Sequence, residues 1–237
     1  MNSNASGSPE PTDDRFEKTS GNRVRRSPKR ASYDKATVFE ILDATAMCHV
    51  SFVQNGKPFT IPMMFARQDN RLLFHGATSS RLMQVLSSGQ DLCVSVALVD
   101  GLVVAKSLFH SSMNYRSVTA FGRGQAVMDE VQRMDALKRM SDKVLPGRWE
   151  DARLPTNQEW KATLVAAVEI ESASAKIRTG EPLDDEQDLS LSFWSGVIPF
   201  RVTAEPPETD AASMASQLPL PEYVTRWVSE MNIARSS

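Results

Sequence analysis

Several short stretches of this chain concentrate side chains that bind anions and flat ring systems. In Phe74-His75-Gly76-Ala77-Thr78-Ser79-Ser80-Arg81-Leu82 an apolar run ends, small residues follow, and a helical pattern begins. Free backbone N–H groups at a helix start attract anions. Thr78, Ser79 and Ser80 add hydroxyl donors, and Arg81 adds a fork that can hold two phosphate oxygens. The set suits a phosphate monoester, although Ser and Thr in such places also serve as plain N-caps. A second stretch, Phe109 to Val118, packs Ser111, Ser112, Asn114, Tyr115, Arg116 and Ser117 between two apolar strands, a density that points to a polar ligand or to an exposed connection. In a third, Ile61-Pro62-Met63-Met64-Phe65, Pro62 marks a strand edge or bulge. Met63 and Met64 are soft enough to lie on a flat ring or to fill core. Lys176 and Arg178 alternate around Ile177 and share one face of a strand, where they would bind phosphate, stabilise an anionic ring or face solvent. Trp194, in Phe193-Trp194-Ser195-Gly196, is available to pack on a ligand or into core.

The absences narrow the chemistry. Only three histidines occur (His49, His75, His110), without HExxH or a clustered metal triad, so no metal site is indicated. No GxSxG, Walker or GxGxxG pattern is present. The two cysteines, Cys48 and Cys93, lack CxxC spacing and read as buried core thiols. The net charge of −2 gives no global case for nucleic acid, and no apolar run approaches the roughly 20 residues of a membrane helix. The N-terminus has no apolar signal core and carries Glu10, Asp13, Asp14 and Glu17, so the expected compartment is the cytosol.

The elements that would position these residues follow from periodicity. Residues 1–30 are polar and read as a disordered, solvated arm. Its basic cluster (Arg23, Arg25, Arg26, Lys29, Arg30) also fits a nuclear import signal. A helix capped by Ser32 is expected from about Tyr33 to Ala46. Met47 to Gln54, the Asn55-Gly56 turn and Pro58 to Ala66 make a hairpin. Asp69-Asn70 turns into a strand at Leu72 to His75, and a helix runs from Ser80 to Leu86. Strands follow at Leu92–Leu98 and Leu102–Ser107, then near Ser117–Met128 and Leu164–Ser172, with a helix at Glu130–Leu145 between the last two. A last strand is expected over Phe193–Val202, a linker over 204–218 and a short helix after Pro221. Regular βαβ alternation is absent, which favours a mainly β fold: a six-stranded antiparallel barrel with short capping helices. The domain reading is an arm (1–30), a barrel (31–203), and a linker with a C-terminal helix (204–237).

Taken in order, these segments resemble the pyridoxamine-5'-phosphate-oxidase-like split-barrel family, in the branch of flavin-nucleotide-binding proteins related to nitroimidazole resistance. The resemblance rests on Pro62-Met63, Leu73-Phe74-His75-Gly76-Ala77 with Ser80-Arg81, Val99-Asp100-Gly101-Leu102 and His110 to Val118. Further along it includes Val144 to Trp149, Ala175 to Gly180 and Trp194 to Pro199. It implies a split barrel, a homodimer, and FMN in a cleft between subunits. Pro62 and Met63 would border the ring, Ser80 and Arg81 would hold phosphate, and Gly76 with Asn114, Tyr115, Arg116 and Ser117 would line the cleft. Lys176, Arg178 and Trp194 would reach the cofactor, and His75 would assist proton transfer. The tryptophan-plus-arginine substrate motif of the vitamin B6 oxidases has no clear counterpart. The resemblance therefore implies a flavin-dependent oxidoreductase acting on another small molecule, or a flavin- or haem-binding protein without turnover.

Overall fold

The computed structural model describes residues 14–233. The first thirteen residues of the expected arm and the last four of the chain lie outside the described residues. The fold is mainly antiparallel β, a split barrel with inserted helices. Its strands are β1 (Ala31–Ser32), β2 (Met47–Gln54), β3 (Lys57–Met64), β4 (Ala66–Gln68), β5 (Arg71–Ala77), β6 (Ser88–Val104), β7 (Ser112–Ala126), β8 (Thr163–Arg178) and β9 (Gly196–Pro199). The helices are α1 (Lys35–Asp43), α2 (Arg81–Leu86), α3 (Glu130–Val144), α4 (Asn157–Ala162), α5 (Ala211–Ala215) and α6 (Glu222–Ile233). Among the described residues no helix is long and apolar enough to cross a membrane.

Three long strands form the spine. The ladder runs β3-β2-β6-β7-β8-β5-β4, with β9 on β6 and β1 on β8. The first half of β6 pairs with β2 and its second half with β9. Likewise β8 pairs first with β5 and then with β1. β6 and β8 thus each change partner along one side, while β7 keeps both of its neighbours, and this splits the barrel. The sheet curls around its own core: Phe52, Phe74, Val94, Val118 and Ala175, from five different strands, belong to one buried cluster. α2 adds Leu82, Met83, Val85 and Leu86 to it. On the outside of the sheet, Ala136 and Met140 of α3 pack on Ala66, Leu73 and Val165.

Several expectations change. The strands expected at Leu92–Leu98 and Leu102–Ser107 are one strand, β6, with a register shift between Val99 and Gly101 in the gap between them. Nine strands nevertheless occur among the described residues rather than six, because three short pieces, β1, β4 and β9, add to the main ladder. The polar stretch from Ser112 onward is not a connection but the start of β7. Asp34, not Ser32, occupies the N-cap of α1, and the Ser32 hydroxyl donates to its carboxylate at 2.9 Å. Cys48 is buried and its thiol is pushed up to about 12, whereas Cys93 is half-buried.

The largest correction concerns the arm. Residues 14–30 are docked rather than free. Arg15 bridges to Asp34 in an antiparallel step, and the Phe16 N–H donates to the Tyr33 carbonyl at 2.9 Å. Phe16 enters the barrel core. Asn22 is buried and donates to the Ala173 carbonyl at 3.1 Å. Overall polarity concealed one aromatic anchor and one buried amide, enough to hold the segment.

Two glycines on β7 permit the closest backbone approaches. A Cβ on Gly122 would lie 1.8 Å from the Glu169 carbonyl oxygen, and one on Gly124 would lie 2.0 Å from that of Leu86. Neither neighbour is a flexible side-chain tip, so the backbone itself must shift. Gly124→Ala is expected to destabilise the protein by about 1–3 kcal/mol or more. Gly21→Ala, with only a 3.7 Å contact to a side chain, should be close to neutral. Urea unfolding of both variants measures the difference.

Candidate functional site

The pleat of β5 decides how the candidate residues divide. Leu72 and Phe74 face the barrel core, while Leu73 faces α3. His75, two residues on from Leu73, shares the α3 side. Its Nδ1 lies 3.4 Å from the Met140 sulfur. Gly76 faces the other way, where an added Cβ would meet Met83 at 2.9 Å and Met63 at 3.7 Å. The sequence reading placed His75 and Gly76 in one cleft; the structure puts them on opposite faces of the strand.

Gly76, Met63 and α2 form one neighbourhood. Met63 is half-buried against the barrel core, and Pro62 is exposed on β3, the end strand of the ladder. There its missing N–H costs no ladder bond. Ser80 takes the N-cap position of α2 without a side-chain cap bond. Arg81 is exposed, its guanidinium 5.0 Å over the Phe59 ring, with no carboxylate partner among the described residues. An uncommitted, exposed arginine beside a half-buried aromatic is available to an anion.

The residues of β7 and β8 separate into three sets. Arg116 is bound bidentately by Asp100, at 3.0 and 2.7 Å, which holds its charge firmly. Tyr115 and Ser117 pair with Arg178 and Lys176, so all four share one face. The Ser117 hydroxyl donates to the Lys176 carbonyl at 3.2 Å, and Lys176 has no carboxylate partner among the described residues. Asn114 and Arg178 are buried rather than lining a cleft. The Arg178 guanidinium donates to the Asn114 side-chain oxygen and to the carbonyls of Gly180 and Glu181, both at 3.2 Å. Its Nε has no hydrogen-bond partner among the described residues. Burial, and then Arg30, draw its pKa down. Trp194 is exposed and lies against Gly196, outside all three sets.

A cavity that the sequence reading missed opens on the His75 side. It encloses about 580 Å³ between β5, α3 and the segment that follows α3, with a mainly apolar wall that includes Met64, Leu137, Met140, Val144, Leu154 and Trp149. This volume lies within the range of small-molecule and cofactor sites. Arg148 and Arg153 stand at its border. Arg153 forks onto Glu159 at 2.7 and 2.8 Å, and Arg148 donates to the Asp151 carbonyl and the Tyr223 hydroxyl. His75 is exposed into this space, and partial burial lowers its pKa and favours the neutral ring. The signal was present as two separate facts, a histidine ending an apolar strand and an amphipathic helix at Glu130–Val144. Nothing in the linear pattern said that they face each other.

Comparison with known proteins agrees with this architecture. The family model described as pyridoxamine 5'-phosphate oxidase matches residues 34–177. A flavocytochrome structure from Azotobacter vinelandii is 40% identical, with a TM-score of 0.82 over 88% of this chain and 96% of that one. A FAD- and haem-binding protein from Mycobacterium smegmatis is 34% identical, with a TM-score of 0.78 over 83% and 96%. A candidate 5-nitroimidazole antibiotic resistance protein from Bacteroides thetaiotaomicron, 18% identical with a TM-score of 0.52 over 62% and 86%, shares the fold. No curated protein matches the chain.

Two measurements test the electrostatics. Asn114→Ala removes an acceptor from a buried guanidinium and should lower stability by about 1.5–3 kcal/mol in urea unfolding. His75 has a folded pKa below its unfolded one, so the unfolded chain takes up the proton first. Its contribution to stability is complete above the ordinary imidazole value of about 6.5 and is lost as pH falls through that value toward the folded one. The urea midpoint of His75→Gln should therefore fall less steeply on acidification than that of the wild type.

Proposed function

The chain belongs to the pyridoxamine 5'-phosphate oxidase family, and from that premise we propose that it is a cytoplasmic flavin-dependent oxidoreductase that also holds a haem. The observation that carries the haem is the cavity above β5: a neutral-favouring imidazole opening into an apolar space of about 580 Å³ with two arginines at its border. That donor set fits a large flat ring that would take a nitrogen ligand and carry peripheral carboxylates. His75 would be the ligand, replacing the proton-transfer role read from the sequence. Met140 and Leu137 would contact the ring, Arg148 would receive one carboxylate, and Arg153 would receive the other by releasing its fork on Glu159. The two most similar structures described above, a flavocytochrome and a FAD- and haem-binding protein, support this reading.

The flavin belongs on the other side of β5, with FMN as the minimal ligand. Arg81 would neutralise phosphate, with Ser80 as a neighbouring donor. Met63 and Pro62 would border the ring beside the open approach at Gly76. Lys176, with Tyr115, Arg116 and Ser117, lies on the long strands away from Arg81, and Trp194 lies by β9. We propose that a second copy of the chain brings these groups together in a homodimer. The supporting observation is an apolar row across three strands: Ile198 pairs with Leu102, which pairs with Met113, and both end residues are exposed. Phe200, joined to the Asp100 carbonyl at 3.0 Å, extends it. Exposed apolar rows of this kind mark interaction surfaces. When bound, the flavin supplies hydride and electron chemistry and the haem a one-electron couple, while the protein supplies orientation and charge.

Absorbance spectra of the purified protein, before and after addition of flavin and hemin and desalting, provide the test. Retention of both chromophores is expected. Arg81→Ala should weaken flavin retention by about 1.5–3 kcal/mol and leave haem in place. His75→Ala should abolish the ligated haem spectrum, recoverable with free imidazole, and leave flavin in place. A wild-type protein that retains neither chromophore would refute the proposal.

A further inference from the structure

The docked N-terminal segment builds a second cavity on a different part of the molecule. About 530 Å³ is enclosed by a wall that includes Arg15, Lys18, Ser20, Arg23, Arg25 and Tyr33. The loop that forms it is fixed at several points. Phe16 is anchored in the barrel core and packs edge-on against Phe39. Asn22 donates to the carbonyls of Glu17 and Ala173 and accepts from the Thr19 N–H. The Tyr33 hydroxyl accepts from the Val24 N–H at 3.0 Å. Held in this way, the loop presents its cations around a concavity.

The charge balance inside the cavity is one-sided. Arg15 is paired with Asp34 at 3.1 Å, and Asp34 is further satisfied by Ser32. Lys18 stands 4.9 Å over the Tyr33 ring. Lys18, Arg23 and Arg25 have no carboxylate partner among the described residues, and the neighbouring Arg26, Lys29 and Arg30 raise the local potential further. Like charges held together on a fixed loop repel one another unless an anion fills the space between them. Guanidinium forks match phosphate oxygens. The space exceeds what a single phosphate needs and falls within the range of small-molecule sites. Its concave shape favours a compact anion over a strand of nucleic acid, which would ask for an extended basic track.

We propose that this cavity binds the diphosphate group of a nucleotide, with Lys18, Arg23 and Arg25 as its charge partners and Ser20 as a hydroxyl donor. A free nucleoside diphosphate and the diphosphate bridge of a dinucleotide held elsewhere on the protein offer the same chemistry. Only the second source involves the flavin reading.

The test compares the purified full-length protein with an Arg23→Ala/Arg25→Ala double variant. Both side chains are exposed, so the far-ultraviolet circular dichroism spectra of the two proteins should match and confirm folding. Each protein is titrated calorimetrically with ADP and with inorganic phosphate at low and high salt, and any flavin it releases is identified by mass. ADP binding that is tighter than phosphate binding, weakens with salt and falls about tenfold or more in the variant assigns the site to a free nucleotide. Absence of ADP binding, combined with loss of dinucleotide flavin from the variant alone, assigns it to a bound dinucleotide. Equal behaviour of the two proteins in both readouts overturns the proposal. So does length-dependent binding of a short oligonucleotide without any ADP binding or flavin difference.

Discussion

At Gly122 and Gly124 two other stretches of backbone lie where a side chain would have to be. The Leu86 carbonyl rests against Gly124, so the end of α2 is seated directly on β7, and the Glu169 carbonyl rests against Gly122 beside a register shift in the β7–β8 ladder. Much else follows from these contacts. The seating of α2 places Leu82, Met83, Val85 and Leu86 in the barrel core and brings Met83 under Gly76. It also sets Arg81 over Phe59 at the edge of β3. The Ser80–Arg81 end of the short helix is positioned by a close approach at its other end.

The second organising fact is the two-residue period of β5. One pleat step separates His75 from Gly76, and with them an α3-covered outer cavity from the neighbourhood of α2. The two chemistries proposed for the protein therefore share one strand without sharing a face. The arginines nearby are used differently according to what surrounds them. Arg116 is neutralised by Asp100 and braces the end of the spine. Arg178 is buried among neutral oxygens, holding the Gly180–Glu181 turn as a structural cation. Arg81 and Lys176 keep their charge available.

Much of this was legible in the sequence, because the hairpin at Asn55-Gly56, the edge proline Pro62 and the amphipathic Glu130–Val144 helix are local signals. The family pattern carried the split barrel. What escaped the sequence depended on partners far along the chain. Leu92 to Ser107 read as two strands because Asp100-Gly101 interrupts the apolar pattern; paired with β7 on one side and β9 on the other, it is a bulge in one strand. Asn114 and Arg178 read as ligand contacts because polar residues near a core often mean a site, and here they bond to each other and to the Gly180 and Glu181 carbonyls. The His75 cavity and the basic cavity are both assembled from segments that periodicity treats as unrelated. The arm read as solvated because its average polarity outweighed Phe16 and Asn22.

The docking of that segment has a consequence for how the molecule comes into being. Asn22 and the Ala173 carbonyl it binds are 151 residues apart in sequence. β1 pairs with the far end of β8, and β5 with its near end. During synthesis, the first folded residues have no docking surface until the strand that closes the barrel has left the ribosome. Such non-local pairings must close large loops before they gain anything, so they form late and slowly. The basic loop accordingly settles only once β8 is in place, and for much of translation its cations trail from an unfinished barrel. A nascent chain of this design exposes β6 and β7 edges for a long interval, and folding on release has to outrun their pairing with a neighbouring chain.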